Sequence, residues 1–536
     1  MKKWIAMLLC AMMVISTFAG CAGDEESKKE TSKTETSKTE TSKKEESKAD
    51  TADKGEAKNI VISVFDRGTT TDEFGTVTDN AYVDWVNEQF GTPNNINVAY
   101  YAIPRSEEVA KLNALLAAKE KVDNVITYSS NLMYQYADQG GLAPLKAHID
   151  QYGANLKEWL SYSLPYGNYK GDTYAIFARR SDLGITGHYI RKDWLDELNI
   201  ELRTNADGFY TMTVDELYAA LEQFAANDLD NTGSQVFAMG MCGVGAQGRT
   251  ITGIRDAFVD VKSASAEDIA CVPYEFLPGA KSAYEWLNKA YLAGLMDPDY
   301  GTQPDATVMN QYIATGRTGY WTHDAWHEVT ANATLDTLHN NIPDAEVVAF
   351  VLENVHGEMF QEIYAPTAIL NMVPAWSECP EGVVQYLDWM CILENAQILM
   401  YGFGYEVIDG VPTPNPEKRM YPNVSDYALV YNGNPDVETN IAANVANCAD
   451  FAKEVRRTTL QTSIIGGVSP YQFGNIESNT KYSTNLSATM AELRVNCIMA
   501  AEGTFESVWE TWYNEYMSIG GEEVINDKRA FYQANN

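Results

Sequence analysis

Between Tyr166 and Leu198 the chain reads Tyr166-Gly-Asn-Tyr-Lys-Gly-Asp-Thr-Tyr174-Ala-Ile-Phe-Ala-Arg-Arg-Ser-Asp-Leu-Gly-Ile-Thr-Gly-His-Tyr189-Ile-Arg-Lys-Asp-Trp194-Leu-Asp-Glu-Leu198. Two strand-like runs, Thr173 to Phe177 and Ile185 to Arg191, flank a turn rich in Arg, Ser, Asp and Gly, and an amphipathic helix pattern starts near Lys192. One set of strand and helix patterns lies upstream and a second begins downstream. The stretch therefore reads as a crossover between two lobes.

Upstream, Asn59 to Phe65 has the unbroken apolar character of a buried strand and then breaks into the polar loop Asp66-Arg67-Gly68-Thr69-Thr70-Thr71. In an open α/β sheet ligands bind beyond the carboxyl ends of the strands, which places Asp66 and Arg67 on a binding edge. A helix pattern (Ala81 to Phe90), a strand (Ile96 to Tyr101) and a helix (Glu107 to Ala118) follow, then the strand from Val122 and its polar loop Tyr128-Ser-Ser-Asn131. Alternating strand and helix predict a βα-built lobe. Downstream, a helix is predicted over Val214 to Ala225, another within Ala283 to Pro298 with Gly294 and Pro298 marking its C-terminus, and a return strand over Tyr364 to Leu370. A return strand is a second crossover, and several crossovers build a hinge on which two lobes can close.

At 536 residues the chain is too long for one compact core. Its formal charge of −35 argues against nucleic acid and against an anionic membrane as partners, since both need a basic field. The 32 tyrosines and 11 tryptophans supply rings of the kind that grip polar ligands through apolar faces. Lys2 and Lys3 precede an apolar run from Trp4 to about Val14, which ends in Thr17-Phe18-Ala19-Gly20-Cys21. That is a secretory signal, too short to span a bilayer. From Ala22 to Lys58 a Glu-Thr-Ser-Lys repeat with almost no apolar side chains predicts a disordered tether, reaching about 30 Å as a flexible coil. Beyond Cys10 and Cys21 the cysteines are widely spaced without a C-x-x-C, and both disulfides and buried thiols are compatible with that spacing.

Asp172-Thr-Tyr-Ala-Ile followed by Tyr189-Ile-Arg-Lys-Asp-Trp-Leu-Asp-Glu-Leu198 resembles the hinge region of extracellular solute-binding lipoproteins of ABC importers, the family 1 sugar-binding type of Gram-positive bacteria. Tyr134 to Leu145, Ala283 to Pro298, Thr315 to Trp326, Pro380 to Trp389, Tyr401 to Glu406 and Trp512 to Asn526 resemble family segments in the same order. The resemblance implies a periplasmic-binding-protein-like fold: two α/β lobes joined by a multi-strand hinge, with the ligand cleft between them. It implies a signal peptide over 1–20, a tether over 21–58, a first lobe of 58–180 plus about 370–450, and a second of about 181–365 plus 451–536. Phe-Ala-Gly-Cys resembles a lipobox, which implies a lipid on Cys21 as the only membrane anchor; ordinary secretion with cleavage near Ala22 is the plainer reading. The implied partners are an oligosaccharide ligand and ABC permease subunits, the chain being a monomer and not an enzyme.

The implied sugar contacts are Asp66 and Arg67, Tyr128 and Asn131, Arg179 and Arg180 at the crossover, and Asp324 with Trp326 in the second lobe. Stacking suits a sugar because one pyranose face is a patch of C–H groups, while Asp and Asn orient hydroxyls and an Arg can meet a uronate carboxylate. Each has a plainer reading: Arg67 or Arg180 paired to a structural acid, and Tyr128, Trp321 or Trp326 in the core. Some relatives carry a calcium loop where this chain has Asp228, Asp230, Thr232 and Ser234, but Val236 and Phe237 stand where the pattern has acids. Gly243-Val-Gly-Ala-Gln-Gly248 fits a dinucleotide fingerprint, yet Arg249-Thr-Ile-Thr-Gly253 is a poor helix start. His323 and His327 lack a third ligand and read as solvated. A binding protein for another polar solute such as a peptide, a secreted glycoside hydrolase with paired carboxylates, and a surface adhesin are the competing readings.

Overall fold

The computed structural model describes residues 56–68, 72–181, 183–227, 229, 236–241, 249–303, 306–325, 334–415, 417–421, 423–432, 436–446 and 448–536. Residues 1–55, which hold the segment read as signal, Cys21 and most of the one read as tether, fall outside these, as do Trp326, His327 and the Gly243–Gly248 motif, while Lys58, read as the tether's last residue, opens a strand.

The strands that build the two principal sheets are β1 (Lys58–Asp66), β2 (Ile96–Pro104), β3 (Val125–Thr127), β4 (Ile176–Arg180), β5 (Thr186–Arg191), β6 (Tyr210–Met212), β7 (Phe237–Gly240), β8 (Thr318–Asp324), β9 (Val347–Leu352), β10 (Thr367–Met372) and β11 (Tyr431–Asn432). In the first lobe β1 and β2 are parallel from Lys58 opposite Ile96 to Asp66 opposite Pro104. The Ser63 amide donates to the Asn124 carbonyl at 2.9 Å, which brings β3 alongside β1. β10 pairs antiparallel with β3 and β4, and β11 pairs parallel with β4. The order is therefore β2-β1-β3-β10-β4-β11, and five of these strands finish on one edge. Ile60, Ile62, Ser63 and Val64 are all fully buried, so β1 is covered on both faces, as its unbroken apolar run demands.

Helices α1 (Glu108–Ala118) and α2 (Ser130–Asp138) follow β2 and β3, the predicted alternation. In the second lobe β7, β8, β5, β9 and β6 lie side by side, with β5 antiparallel to its neighbours β8 and β9. α3 (Val214–Ala226) starts at a reciprocal cap in which Thr213 and Glu216 satisfy each other's amides, and it buries Leu217, Leu221 and Phe224.

Two sequence expectations need correction here. α4 (Arg249–Asp256) is a helix from Arg249 onward, because Thr250, Ile251 and Ile254 are buried and tertiary packing outweighs weak local propensity. Its Gly253 lies so close to β8 that a Cβ would sit 2.3 Å from Thr322 Oγ1. His323, expected in solvent, is 2% exposed within β8, a strand covered on both faces. Trp321 beside it is fully buried and stacks on Tyr189 with ring centroids 5.6 Å apart, so it belongs to the core. Among the described cysteines Cys271, Cys379, Cys391 and Cys497 are buried free thiols.

The chain passes between the lobes along segments that lie against one another. Between β4 and β5, Leu183, Gly184 and Ile185 pair antiparallel with Tyr364, Ile363 and Glu362: Tyr364 N donates to Leu183 O at 3.0 Å, Gly184 bridges Ile363, and next to them Arg180 N donates to Pro366 O at 2.9 Å. A Cβ at Gly184 would lie 2.0 Å from the Ser463 carbonyl, so glycine alone lets this passage rest on the end of α6. Here α5 denotes the helix Ala280–Leu292 and α6 the helix Lys453–Thr462. β11 leads towards the helix Val437–Ala446, whose Asn440 donates to Ser181 Oγ at 2.7 Å and whose Ile441 and Val445 pack with Ala325 and Leu460 of the second lobe.

A buried charge network ties the second passage to the second lobe. Arg255, 2% exposed in its side chain, reaches Asp256 at 2.7 Å, Glu362 at 2.7 Å and Glu275 at 3.1 Å, and Arg494 of α7 (Glu477–Ile498) also bonds Glu275. Burial alone would raise the Glu275 carboxyl, but Arg494 and Arg255 outweigh it and hold it down at about 2. A carboxyl depressed on folding contributes stability above its ordinary 4.5 and loses it as the pH falls towards the folded value. Glu275→Gln should therefore destabilise the chain at pH 7 by about 3 kcal/mol, since it removes the carboxylate that Arg494 bonds and one of the three around buried Arg255. The gap between wild type and variant in urea unfolding should narrow by about 2 kcal/mol at about pH 3; a gap independent of pH would contradict this account.

Candidate functional site

The carboxyl ends of the first-lobe strands and the ends of β8 and β10 converge where the passages run between the lobes. Phe65 ends the apolar part of β1, and its ring stacks parallel to Tyr128, just past β3, with centroids 5.8 Å apart and planes 9° from parallel. Arg105, the residue after β2, lies 4.9 Å from the Phe65 ring centroid and 5.0 Å from that of Tyr128. Arg180, the last residue of β4, lies 5.8 Å from the Tyr128 ring and 4.6 Å from the Tyr364 ring. Arg249, opening α4, lies 5.1 Å from the other neighbour of this row, Tyr364, whose hydroxyl donates to Asp324 Oδ2 at 3.0 Å. Arg249 Nε is 3.2 Å from the same carboxylate. The result is a row of aromatic faces and guanidinium groups running from the first lobe across the hinge into the second. Each such cation–π contact is worth about 0.5–2 kcal/mol, so the row is also an ordered scaffold.

Acids hold the row in place. Buried Glu108, at the start of α1, accepts from Thr127 Oγ1 at 2.6 Å and from the Tyr128 amide at 2.8 Å, and pairs with Arg105 at 2.5 Å. Arg67 grips Asp426 through two nitrogens, Nε at 2.8 Å and Nη2 at 2.7 Å. Tyr128 itself is 39% exposed, so part of its ring surface reaches solvent beside these contacts. Burial raises the Tyr364 hydroxyl pKa, with Asp324 adding to it, so this phenol stays a donor.

The structure thus brings Tyr128, Arg180 and Asp324 into one row, with Arg67 beside it on Asp426. Asp66 closes its own loop by accepting from the Gly68 amide at 2.9 Å. Asn131 accepts from Asn479 of α7 at 3.3 Å, a contact between the lobes rather than an open position. Arg179 pairs with Tyr431 and Thr367 in the sheet and, by strand alternation, faces away from Arg180. The candidate calcium ligands Asp228, Asp230, Thr232 and Ser234 lie outside the described residues. Phe237, at a position where that pattern has an acid, is buried and packs on Tyr312 with ring centroids 4.7 Å apart. Sequence reasoning missed Phe65, Arg105, Glu108, Arg249, Tyr364 and Asp426. Arg105 carried a usable signal, since it follows a strand exactly as Arg67 does, one strand over.

A separate cavity of about 630 Å³ lies in the second lobe beside α7, lined by Cys271, Glu275, Arg494 and Lys528 among others. It does not border the strand ends, and we place the site in the cleft. Among the described residues no helix is long and apolar enough to cross a membrane.

No family model matches the sequence, and no curated relative does. Solved structures match the fold. The alginate-binding protein AlgQ2, crystallised without calcium, superposes with a TM-score of 0.64 at 14% identity over 90% of this chain and 99% of its own. An extracellular solute-binding protein from Bifidobacterium longum subsp. infantis gives 0.65 at 14% over 90% and 99%. The S. pneumoniae ABC-transporter substrate-binding protein FusA, in complex with kestose, gives 0.62 at 15% over 89% and 100%. The architecture is that of the two-lobed solute-binding proteins, as the crossover pattern and hinge resemblance predicted.

Glu108→Gln tests the scaffold. It removes the charge that holds Arg105 and the Tyr128 loop, and should cost about 1.5–3 kcal/mol in chemical unfolding at neutral pH. Unchanged stability would mean that Glu108 does not position the row.

Proposed function

We propose that this chain is the extracellular substrate-binding lipoprotein of an ABC importer, which captures an oligosaccharide between its lobes and delivers it unchanged to the permease. The observation that carries this reading is the row from Phe65 to Asp324, with aromatic faces and polar hydrogen-bonding groups alternating where two lobes meet at a hinge. A sugar needs both at once: C–H faces for rings and fixed dipoles for hydroxyls. The solved neighbours support it by kind, since FusA is described with bound kestose and AlgQ2 as alginate-binding. The Phe-Ala-Gly-Cys21 ending supports a lipid anchor on Cys21, with the charge-balanced stretch behind it as tether to the outer face of the membrane. In this reading the protein acts as a monomer and performs no chemistry on the sugar.

The test is a thermal-shift screen of the mature chain against neutral oligosaccharides, uronate oligosaccharides and short peptides, followed by mass analysis of the recovered ligand. A binder at one hundred times its dissociation constant should add about 2.7 kcal/mol of stability, and Tyr128→Ala should abolish the shift. Cleaved sugar would replace this reading with a glycoside hydrolase, and a response to peptides alone would replace its substrate class.

A further inference from the structure

Three of the four arginines along the row or beside it carry their own acid: Arg67 has Asp426, Arg105 has Glu108, and Arg249 has Asp324. Arg180 is different. Among the described residues its guanidinium has neither a carboxylate partner nor a hydrogen bond, although it is half-buried between Tyr128 and Tyr364 at the base of the cleft. Shortage of acids does not explain this, because the chain has 74 acidic residues against 39 basic ones. Asp324 acts on it only at a distance, and a cation taken partly out of water without a directly bonded acid is costly unless an anion from outside meets it. Burial lowers its pKa, yet an arginine remains charged at any physiological pH.

Geometry narrows the anion. The guanidinium lies 4.6 Å from the Tyr364 ring and 5.8 Å from the Tyr128 ring, and its planar N–H fork matches a carboxylate bidentately. Tyr128 beside it is 39% exposed, and the exposed part of its ring asks for a C–H surface next to that carboxylate. A uronic acid residue has both, a pyranose face and a carboxylate in its plane. Resting on the oligosaccharide reading above, we propose that the ligand is an acidic oligosaccharide whose uronate carboxylate docks on Arg180 while its ring stacks on Tyr128.

The mature chain is titrated calorimetrically with galacturonate and mannuronate trisaccharides and with their carboxyl-reduced neutral counterparts, at low and high salt. A uronate trisaccharide should bind at least tenfold tighter than its reduced form, with the difference shrinking in salt. Arg180→Gln should weaken uronate binding by about 10- to 150-fold, the range of one charge-assisted contact, a larger loss than for the reduced sugar, with Arg180→Lys recovering part of it. If Arg180→Gln misfolds, the comparison of uronate with its reduced form decides alone. Equal affinity for the charged and reduced sugars, or tighter binding of sulfated ones, overturns the uronate assignment and leaves oligosaccharide capture standing. If no saccharide of either kind binds, both readings fall.

Discussion

The antiparallel pairing of Leu183, Gly184 and Ile185 with Tyr364, Ile363 and Glu362 is the constraint on which the rest of this molecule depends. Tyr128, Arg180, Arg249, Asp324 and Tyr364 come from distant parts of the chain. They meet because Arg180 and Tyr364 sit at the ends of two passages whose backbones are bonded to each other. Buried backbone groups must be paired, so the passages can hardly separate without breaking several hydrogen bonds at once. Gly184 packed on the Ser463 carbonyl and the Arg255 network around Glu362 fasten the same place from the second lobe. The hinge is therefore a stiff ribbon that can bend but not slide, which suits rigid-body closure of two lobes.

Electrostatics follows from this arrangement. A chain of −35 overall keeps its cleft guanidinium groups ordered by giving most of them an internal acid and aromatic walls. Such pre-pairing costs little on ligand binding, because the side chains are already held in one conformation. Arg180, which has no directly bonded acid among the described residues, is the exception and lies at the hinge beside Tyr128 and Tyr364.

Much of the fold was legible in local pattern. The apolar run from Asn59 to Phe65, the alternation that follows it and the Ala283–Pro298 helix stop all depend on neighbours in sequence, and the structure has elements there. Tertiary pairing decided the rest. Arg179 and Arg180 read as part of a turn, yet they end β4, because β10 and β11 extend the strand by pairing with it. Asp172 and Thr173 instead belong to a small hairpin with Asn168 and Tyr169. His323 and Trp321 look polar or ligand-ready in sequence, but β8 is covered on both faces. For the site, the rule that strand ends line the cleft pointed to Asp66, Arg67 and Tyr128. It could not reveal Glu108, Asp426 or Tyr364, whose roles exist only through contacts across long stretches of chain.

The central claim is that a ligand bound at the hinge draws the two lobes together. Small-angle X-ray scattering of the mature chain, free and with a saccharide shown by calorimetry to saturate it, measures this directly. The account predicts a smaller radius of gyration in the bound state, and a loss of that change when Arg180 or Tyr128 is replaced. Superimposable scattering curves at full saturation would contradict it.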